Sequence, residues 1–202
     1  MFRVGVTGGI GSGKTLICKI FEILGVPVYY ADLQAKKILV SEPNVITKLT
    51  ECFGKVILKQ GKPDREKIAS IVFNSPDALN RLNSVIHPFV RKDFNVWTSN
   101  KKGYSYVIEE AAILFESGAF RLLDFTITIS APQDLRIKRV MERDNTDRKS
   151  IMARIANQMN EEERISLADA VIVNDNKLLV IPQVVELHNR LISLAEKKRK
   201  KS

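Results

Sequence analysis

Apolar positions along this chain follow two rhythms in turn. Short apolar runs suit strands buried on both faces: Phe2–Val6, Val26–Tyr30, Tyr104–Ile108, Phe125–Ser130 and Val171–Val173. Between them lie longer stretches with apolar residues every three or four positions, the spacing of one helix face. These predict helices over Leu16–Leu24, stopped by Gly25, over Leu33–Val40, closed by Ser41-Glu42-Pro43, over Asp134–Arg143, and from about Ile181 to Glu196. Residues 144–163 are charged and read as helical, with Arg143 just before them and Arg148 and Arg154 within. Strands alternating with helices predict a three-layer α/β fold around a parallel five-stranded sheet, with right-handed connections.

One segment breaks the alternation. From Pro43 to about Asn100 the pattern is helical throughout: Asn44–Phe53, Arg65–Phe73, Pro76–Ile86 and Phe89–Thr98. Asp64, Ser75 and Pro76 supply start signals, and His87-Pro88 reads as a break between two helices. Gly54–Pro63 is polar with internal glycines and reads as a loop or small hairpin. This insertion of ~60 residues exceeds what a strand-helix-strand crossover needs. It reads as a helical lobe for an acceptor molecule, or else as a structural extension of the core.

The stretch Gly8-Gly9-Ile10-Gly11-Ser12-Gly13-Lys14-Thr15 matches the phosphate-binding pattern G-x-x-x-x-G-K-[ST]. It lies between a predicted strand and a predicted helix, the context its chemistry requires. Glycines let consecutive backbone N–H groups turn inward around a polyphosphate, and the helix N-terminus adds partial positive charge. Lys14 can then reach the β- and γ-phosphates, and the Thr15 hydroxyl can ligate Mg²⁺. Asp32 falls at the C-terminal end of a strand and the start of a helix, where open α/β sheets hold ligands and where an aspartate also suits a helix cap.

Composition narrows this little. An apolar share of 45% and a charged share of 27% are those of an ordinary globular chain. No run approaches the ~20 apolar residues of a membrane span. With a strand starting at Phe2, no N-terminal targeting segment is expected. Two cysteines, Cys18 and Cys52, make neither a disulfide framework nor a metal pattern, so a reducing cytoplasm is the expected setting. Cys18 reads as a small core residue. Of the net charge of +9, five units belong to Lys197-Lys198-Arg199-Lys200-Lys201, leaving +4 elsewhere. That tail has no interleaved aromatics and reads as a solvated, disordered end, an RNA-binding patch being the lesser reading. No nucleic acid, membrane or protein partner is implied.

Guanine-specific enzymes carry N-K-x-D and D-x-x-G motifs; here Asn100-Lys101-Lys102 is followed by Gly103, and the third core strand runs into Glu-Glu-Ala-Ala. What remains is a small-molecule kinase, which needs a phosphate loop, an acceptor lobe, a carboxylate near the acceptor hydroxyl and an arginine-bearing lid. Sugar, shikimate and nucleoside monophosphate kinases of the same construction are the competing readings.

Over essentially its full length the chain resembles the dephospho-coenzyme A kinase family. The matching segments are Val6–Lys14, Ala31-Asp32, His87-Pro88-Phe89-Val90-Arg91, Leu114-Phe115-Glu116, Ala153–Met159 and Ala168–Asn174. The resemblance implies a fold of the P-loop NTPase kinase type with three parts: a core of residues 1–40, 104–133 and 165–202, a helical lobe for the substrate at about 41–103 and a helical lid at about 134–164. It implies ATP-dependent phosphorylation of the ribose 3′-hydroxyl of dephospho-CoA, the last step of coenzyme A synthesis, with ATP and Mg²⁺. Asp32, Lys14 and Arg143 would then be catalytic. Gly9, Gly11, Ser12, Gly13, Lys14, Thr15 and Leu16 would bind the nucleotide phosphates, with Arg148 in the lid and Asn174 near the adenine. Asp32, His87, Arg91, Leu114 and Phe115 would bind dephospho-CoA, and Thr15 and Glu110 would hold the metal. The family usually has aspartate where this chain has Glu110, and proline where it has Ala112. A glutamate reaches a metal-bound water from one methylene further out.

Overall fold

A strand with no polar face belongs inside a sheet. β1 (Phe2–Gly8) is buried along nearly its whole length and forms the centre of a five-stranded parallel sheet. Its partners are β5 (Tyr106–Glu110) on one side and β6 (Phe125–Ser130) on the other. Beyond them lie β2 (Val28–Tyr30) and β7 (Ala170–Val173), giving the order β2-β5-β1-β6-β7. The computed structural model describes residues 1–73 and 75–201, the side chains of Phe73 and Lys201 excepted. The chain forms two compact units. One comprises Met1–Tyr30 and Thr98–Ser202, the other Ala31–Trp97.

In the first unit, one face of the sheet presents Val4, Val6, Ile108, Ile127 and Ile129 to two helices, α1 (Lys14–Ile23) and α9 (Val180–Lys201). Ile17, Cys18 and Phe21 from α1 and Val184, Leu187 and Leu191 from α9 complete this core. The other face carries Gly5, where a Cβ would meet Leu114 and Leu123, so the chain following β5 lies flat on β1. The remaining helices of this unit are α6 (Gln133–Asp144), α7 (Arg148–Ala156) and α8 (Glu161–Leu167). Asp169 pins β7 into register: its Oδ2 accepts from the Thr126 N–H at 2.7 Å and the Thr126 hydroxyl at 2.8 Å.

The sheet moves several expected boundaries: β1 runs on to Gly8 rather than ending at Val6, β2 starts at Val28 rather than Val26, and β7 starts at Ala170 rather than Val171. The third core strand runs Tyr106–Glu110, not Tyr104–Ile108, because Phe2 of β1 pairs with Tyr106, so Tyr104 lies beyond the ladder. At the other end Glu110 pairs with both Val6 and Tyr30. Both glutamates are therefore buried strand residues. The expected disordered tail is instead the last turns of α9. Lys198 there bonds Asp124 and sits over the Phe2 ring.

The second unit holds α2 (Ala31–Ser41), α3 (Pro43–Phe53), α4 (Arg65–Phe73) and most of α5 (Pro76–Ser99). The Gly54–Pro63 stretch forms the hairpin β3 (Leu58–Lys59) and β4 (Lys62–Pro63). Gln60 and Gly61 between them both have positive φ, the backbone of the tight turns favoured in hairpins. His87-Pro88 does not break the chain into two helices; α5 runs through it. The buried residues Ala78, Leu82, Ile86, Val90 and Phe94 recur every fourth position on both sides of Pro88, while Pro88 itself is exposed. Burial of one continuous apolar stripe outweighs the hydrogen bond that proline cannot donate.

Because that bond is missing from an otherwise intact helix, Pro88→Ala is expected to stabilise the protein by about 1 kcal/mol or more, within the ~3 kcal/mol cost of an interior proline. Thermal melting checks this. A lowered midpoint would show that α5 is bent to suit the ring.

Candidate active site

Strand β1 delivers the chain to the C-terminal edge of the sheet, where the loop Gly8–Gly13 turns it into α1. Gly11 and Gly13 adopt positive φ of 79° and 96°. At Gly13 a side chain is doubly excluded, since the Asn174 amide occupies the place of its Cβ. The Ser12 N–H donates to the Gly9 carbonyl at 3.1 Å, closing the turn. Lys14 folds back, its Nζ donating to the Gly8 carbonyl at 2.9 Å, which sets the ammonium inside the curve of the loop. Thr15 and Leu16 are exposed in the first turn of α1. Backbone amides, a helix N-terminus and one lysine thus converge as polyphosphate binding requires.

Long-range partners hold the loop in this shape. Asn174, at the end of β7, donates from Nδ2 to the Ser12 carbonyl at 2.8 Å. Its Oδ1 accepts from Arg139 at 3.3 Å. Arg139 also donates to the Asn176 Oδ1 at 2.6 Å. Asn174, expected near an adenine, therefore sits beneath the phosphate loop and ties it to α6. The Ile10 N–H donates to the Gln158 Oε1 at 2.9 Å, linking the loop's apex to the segment after α7. Glu116 accepts from the Met159 N–H at 3.0 Å, anchoring that segment again.

Two arginines that the sequence reading did not single out stand at the loop: Arg136 on α6 and Arg164 on α8, 4% and 2% exposed. A side chain on Gly9 would run into the Arg136 guanidinium. The signal for them is faint. Each is an arginine among the inward positions of a charged helix, Arg136 beside the buried Ile137 and Val140. The arginines singled out from the sequence lie elsewhere. Arg143 pairs with Asp144 at 2.7 Å and Arg148 with Asp134 at 2.9 Å, both exposed.

Glu110 ends β5 on the α1 side of the sheet. Cys18 reports this: its thiol is pushed far up, first by burial and then by the Glu110 carboxylate. Cys18 is the inert core residue expected. Leu114 is fully buried and Phe115 packs edge-on against Phe120 at 5.3 Å, so both hold their loop to the core. Among the described residues no group of three His, Cys, Asp or Glu side chains could bind a metal unaided. Thr15, in the first turn of α1, and Glu110, at the end of β5, carry oxygen donors of the kind a hard cation takes.

In the second unit Asp32 is the second residue of α2, not a residue preceding the helix, so it meets the positive helix end from within the first turn. It shares its surroundings with α5. The His87 imidazole is held below its ordinary pKa, first by burial and then by Arg91, while Asp32 pulls the other way. His87 and Arg91 stand one turn apart on α5, and the charge of Asp32 is felt at the His87 ring.

Known proteins similar to this chain place it in a family. The family model described as Dephospho-CoA kinase matches residues 2–179. The chain belongs to the dephospho-CoA kinase family. It is 37% identical over 185 residues to the dephospho-CoA kinase of Bacteroides fragilis (strain YCH46), covering 92% of this chain and 90% of that one. Among solved structures, a Thermus thermophilus protein superposes with a TM-score of 0.83 at 31% identity, covering 94% of this chain and 96% of its own. The dephospho-CoA kinase of Campylobacter jejuni does so with a TM-score of 0.66 at 30% identity, covering 95% and 97%.

Two outcomes follow from the geometry. Lys14→Ala removes a charge from a half-buried side chain at the first position of α1 and opens no core cavity. Its melting midpoint is expected within ~2 °C of the parent, a shift of at most ~1 kcal/mol for a chain this size, while turnover falls by ~10² or more; kinetics beside melting checks both. His87 predicts a pH dependence. Its folded pKa lies below the ordinary 6.5, so above that pH neither state carries the proton. As pH falls below about 6.5 the unfolded chain takes up the proton first, and stability drops. The midpoint of His87→Gln should fall less than that of the parent between about pH 6.5 and 5; parallel curves would contradict the assignment.

Proposed function

We propose that this protein transfers the γ-phosphoryl group of ATP to the ribose 3′-hydroxyl of dephospho-CoA, giving coenzyme A and ADP in the last step of coenzyme A synthesis. The observation that carries this is a complete phosphate loop, Gly8–Thr15, with Lys14 folded into it, in a chain of the dephospho-CoA kinase family. In the transfer, the bond from the γ-phosphorus to the bridging oxygen breaks and a bond to the 3′-oxygen forms. The hydroxyl proton leaves to a carboxylate.

The loop amides of Gly9, Gly11, Ser12 and Gly13, with those of Thr15 and Leu16, donate to the β- and γ-phosphate oxygens. Lys14 neutralises charge that grows on the leaving oxygen. Thr15 and Glu110 would hold Mg²⁺, which supplies charge neutralisation across the β- and γ-phosphates. Asp32 receives the 3′-hydroxyl proton. A carboxylate is a far weaker base than an alkoxide, so Asp32 acts late, once the new bond has acidified the hydroxyl. His87 and Arg91, next to Asp32 in the helical unit, serve the acceptor. A neutral His87 beside a cationic Arg91 can offer a hydrogen bond while the arginine meets an anionic group. Leu114 and Phe115 keep the loop after β5 in place for the acceptor. Arg143 and Arg148 are the mobile charges. Exposed ion pairs are worth under ~1 kcal/mol, so a polyphosphate can draw either arginine away from its carboxylate. Asn174 serves the nucleotide by fixing the loop beneath it. The reaction belongs in the cytoplasm, and no helix among the described residues is long and apolar enough to cross a membrane.

ADP release measured against a panel of dephospho-CoA, shikimate, gluconate and nucleoside monophosphates tests the reading. Activity confined to dephospho-CoA is expected, and preference for another acceptor overturns it. Asp32→Asn keeps size while losing the proton acceptor. A fall in kcat of ~10²–10⁴ with near-normal ATP binding and stability is expected. Unchanged turnover would move the proton acceptor elsewhere. Arg143→Ala should lower kcat more than Arg148→Ala does. A rise in the KM for ATP alone, in both, would make them ground-state ligands.

A further inference from the structure

The phosphate loop carries more buried positive charge than its neighbours balance. Arg136 and Arg164 are both nearly fully buried, and both guanidinium groups reach Gly9. A Cβ on Gly9 would overlap Arg136 Nη1 and lie 3.4 Å from Arg164 Nη2. The backbone of Gly9 is otherwise ordinary, with no left-handed φ to demand glycine. The space above Gly9 is therefore kept for guanidinium groups.

Their partners are few. Arg136 Nη2 pairs with Glu161 Oε2 at 3.1 Å. The other oxygen of Glu161 is committed to the end of β6, accepting from the Ser130 hydroxyl at 2.6 Å and the Ala131 N–H at 3.2 Å. Glu161 thus fixes Arg136 to the sheet edge from the first turn of α8. Arg136 Nε and Arg164 Nη1 are buried donors with no partner among the described residues. The Arg164 guanidinium is held below its ordinary pKa, first by burial and then by the like charge of Arg136, with Glu161 and Glu116 pulling the other way. Two like charges side by side, out of water and short of acceptors, are costly in the free protein. An anion on the loop offsets that cost. A cavity of about 360 Å³ opens beside them, lined by Arg136, Arg164, Gln158 and Glu161 among others.

We infer that Arg136 and Arg164 form a paired guanidinium seat over Gly9 for the phosphate oxygens of the bound nucleotide, and that Glu161 is the positioning residue that aims Arg136 into it. The inference rests on the kinase reading above and adds to it two contacts and their support. Planar guanidinium forks match phosphate bidentately, so a fixed pair orients the transferring group where single flexible arginines do not. Glu161 neutralises part of the charge at rest and leaves a net cationic site for phosphate.

The test measures melting with and without inorganic pyrophosphate, and kinetics with ATP and dephospho-CoA. Arg136→Gln and Arg164→Gln should each lose most of the pyrophosphate-induced rise in midpoint and lower kcat by ~10² or more. Arg164→Lys keeps the charge but not the fork. It should retain the rise better than Arg164→Gln and still lose turnover, and it replaces Arg164→Gln if that variant fails to fold. Glu161→Gln keeps the acceptor for Ser130 and Ala131. It should bind pyrophosphate as tightly as the parent or more so, yet turn over ~10-fold or more slowly; weaker binding together with a general loss of stability would make Glu161 merely structural and overturn its role. Gly9→Ala displaces Arg136 without touching charge. Combined with Arg136→Gln it should be no worse than Arg136→Gln alone, whereas multiplying losses would contradict the Gly9 contact. Normal pyrophosphate response and kcat in both glutamine variants would sink the seat while leaving the kinase reading intact. An arginine-dependent pyrophosphate response in a parent protein inactive on dephospho-CoA would sink the kinase reading alone.

Discussion

Positive charge held out of water is the constraint on which the first unit of this protein depends. Lys14, Arg136 and Arg164 and the inward amides of the phosphate loop lie at the C-terminal edge of one parallel sheet. Glu161 forms an ion pair with Arg136 there. Burying cations without full compensation is affordable only if the rest of the fold holds them rigidly and a ligand completes them. The ties that supply this rigidity come from distant parts of the chain: Asn174, just after β7, beneath Ser12, Gln158 on the Ile10 amide, and Glu161 bridging the end of β6 to α6.

That arrangement explains why the sheet is ordered as it is. β1 must be central so that its C-terminal end opens between β5, which brings Glu110, and β6, whose end receives Glu161. The apolar face under α1 and α9 is fully packed, leaving the polar chemistry to the edge of the sheet and its far face. The helical unit follows β2 directly and brings Asp32 into the neighbourhood of His87 and Arg91, a second and distinct set of titratable groups. Phosphoryl transfer needs both kinds of group, since the donor requires cations and the acceptor hydroxyl requires a place for its proton.

Much of this was legible in the residues. The phosphate loop is a local device, so its glycines and Lys14-Thr15 carry its geometry within one short stretch. The five strands were legible because parallel strands are apolar on both faces, although the ends of β5 depended on where β1 and β2 offered partners. Pro88 misled because proline is a local signal and the stripe from Ala78 to Phe94 that outweighs it is set by burial. The basic tail misled for a related reason, since the docking of Lys198 on Asp124 and Phe2 is a contact across most of the sequence. Arg136, Arg164 and Glu161 were hidden because a charged helix reads as solvated until the loop it covers is seen. Arg143 and Arg148 stood out by density instead, which says nothing of direction.

The most direct test of the account is the position of the new phosphate. Purified protein would be given dephospho-CoA and ATP, and the product examined by phosphorus NMR, with dephospho-CoA lacking the 3′-hydroxyl as the matched comparison. The account predicts one new monoester phosphate on the ribose 3′-oxygen, with ADP in equal amount, and no product from the 3′-deoxy compound. Phosphate at another position, or equal transfer to the 3′-deoxy compound, would contradict it.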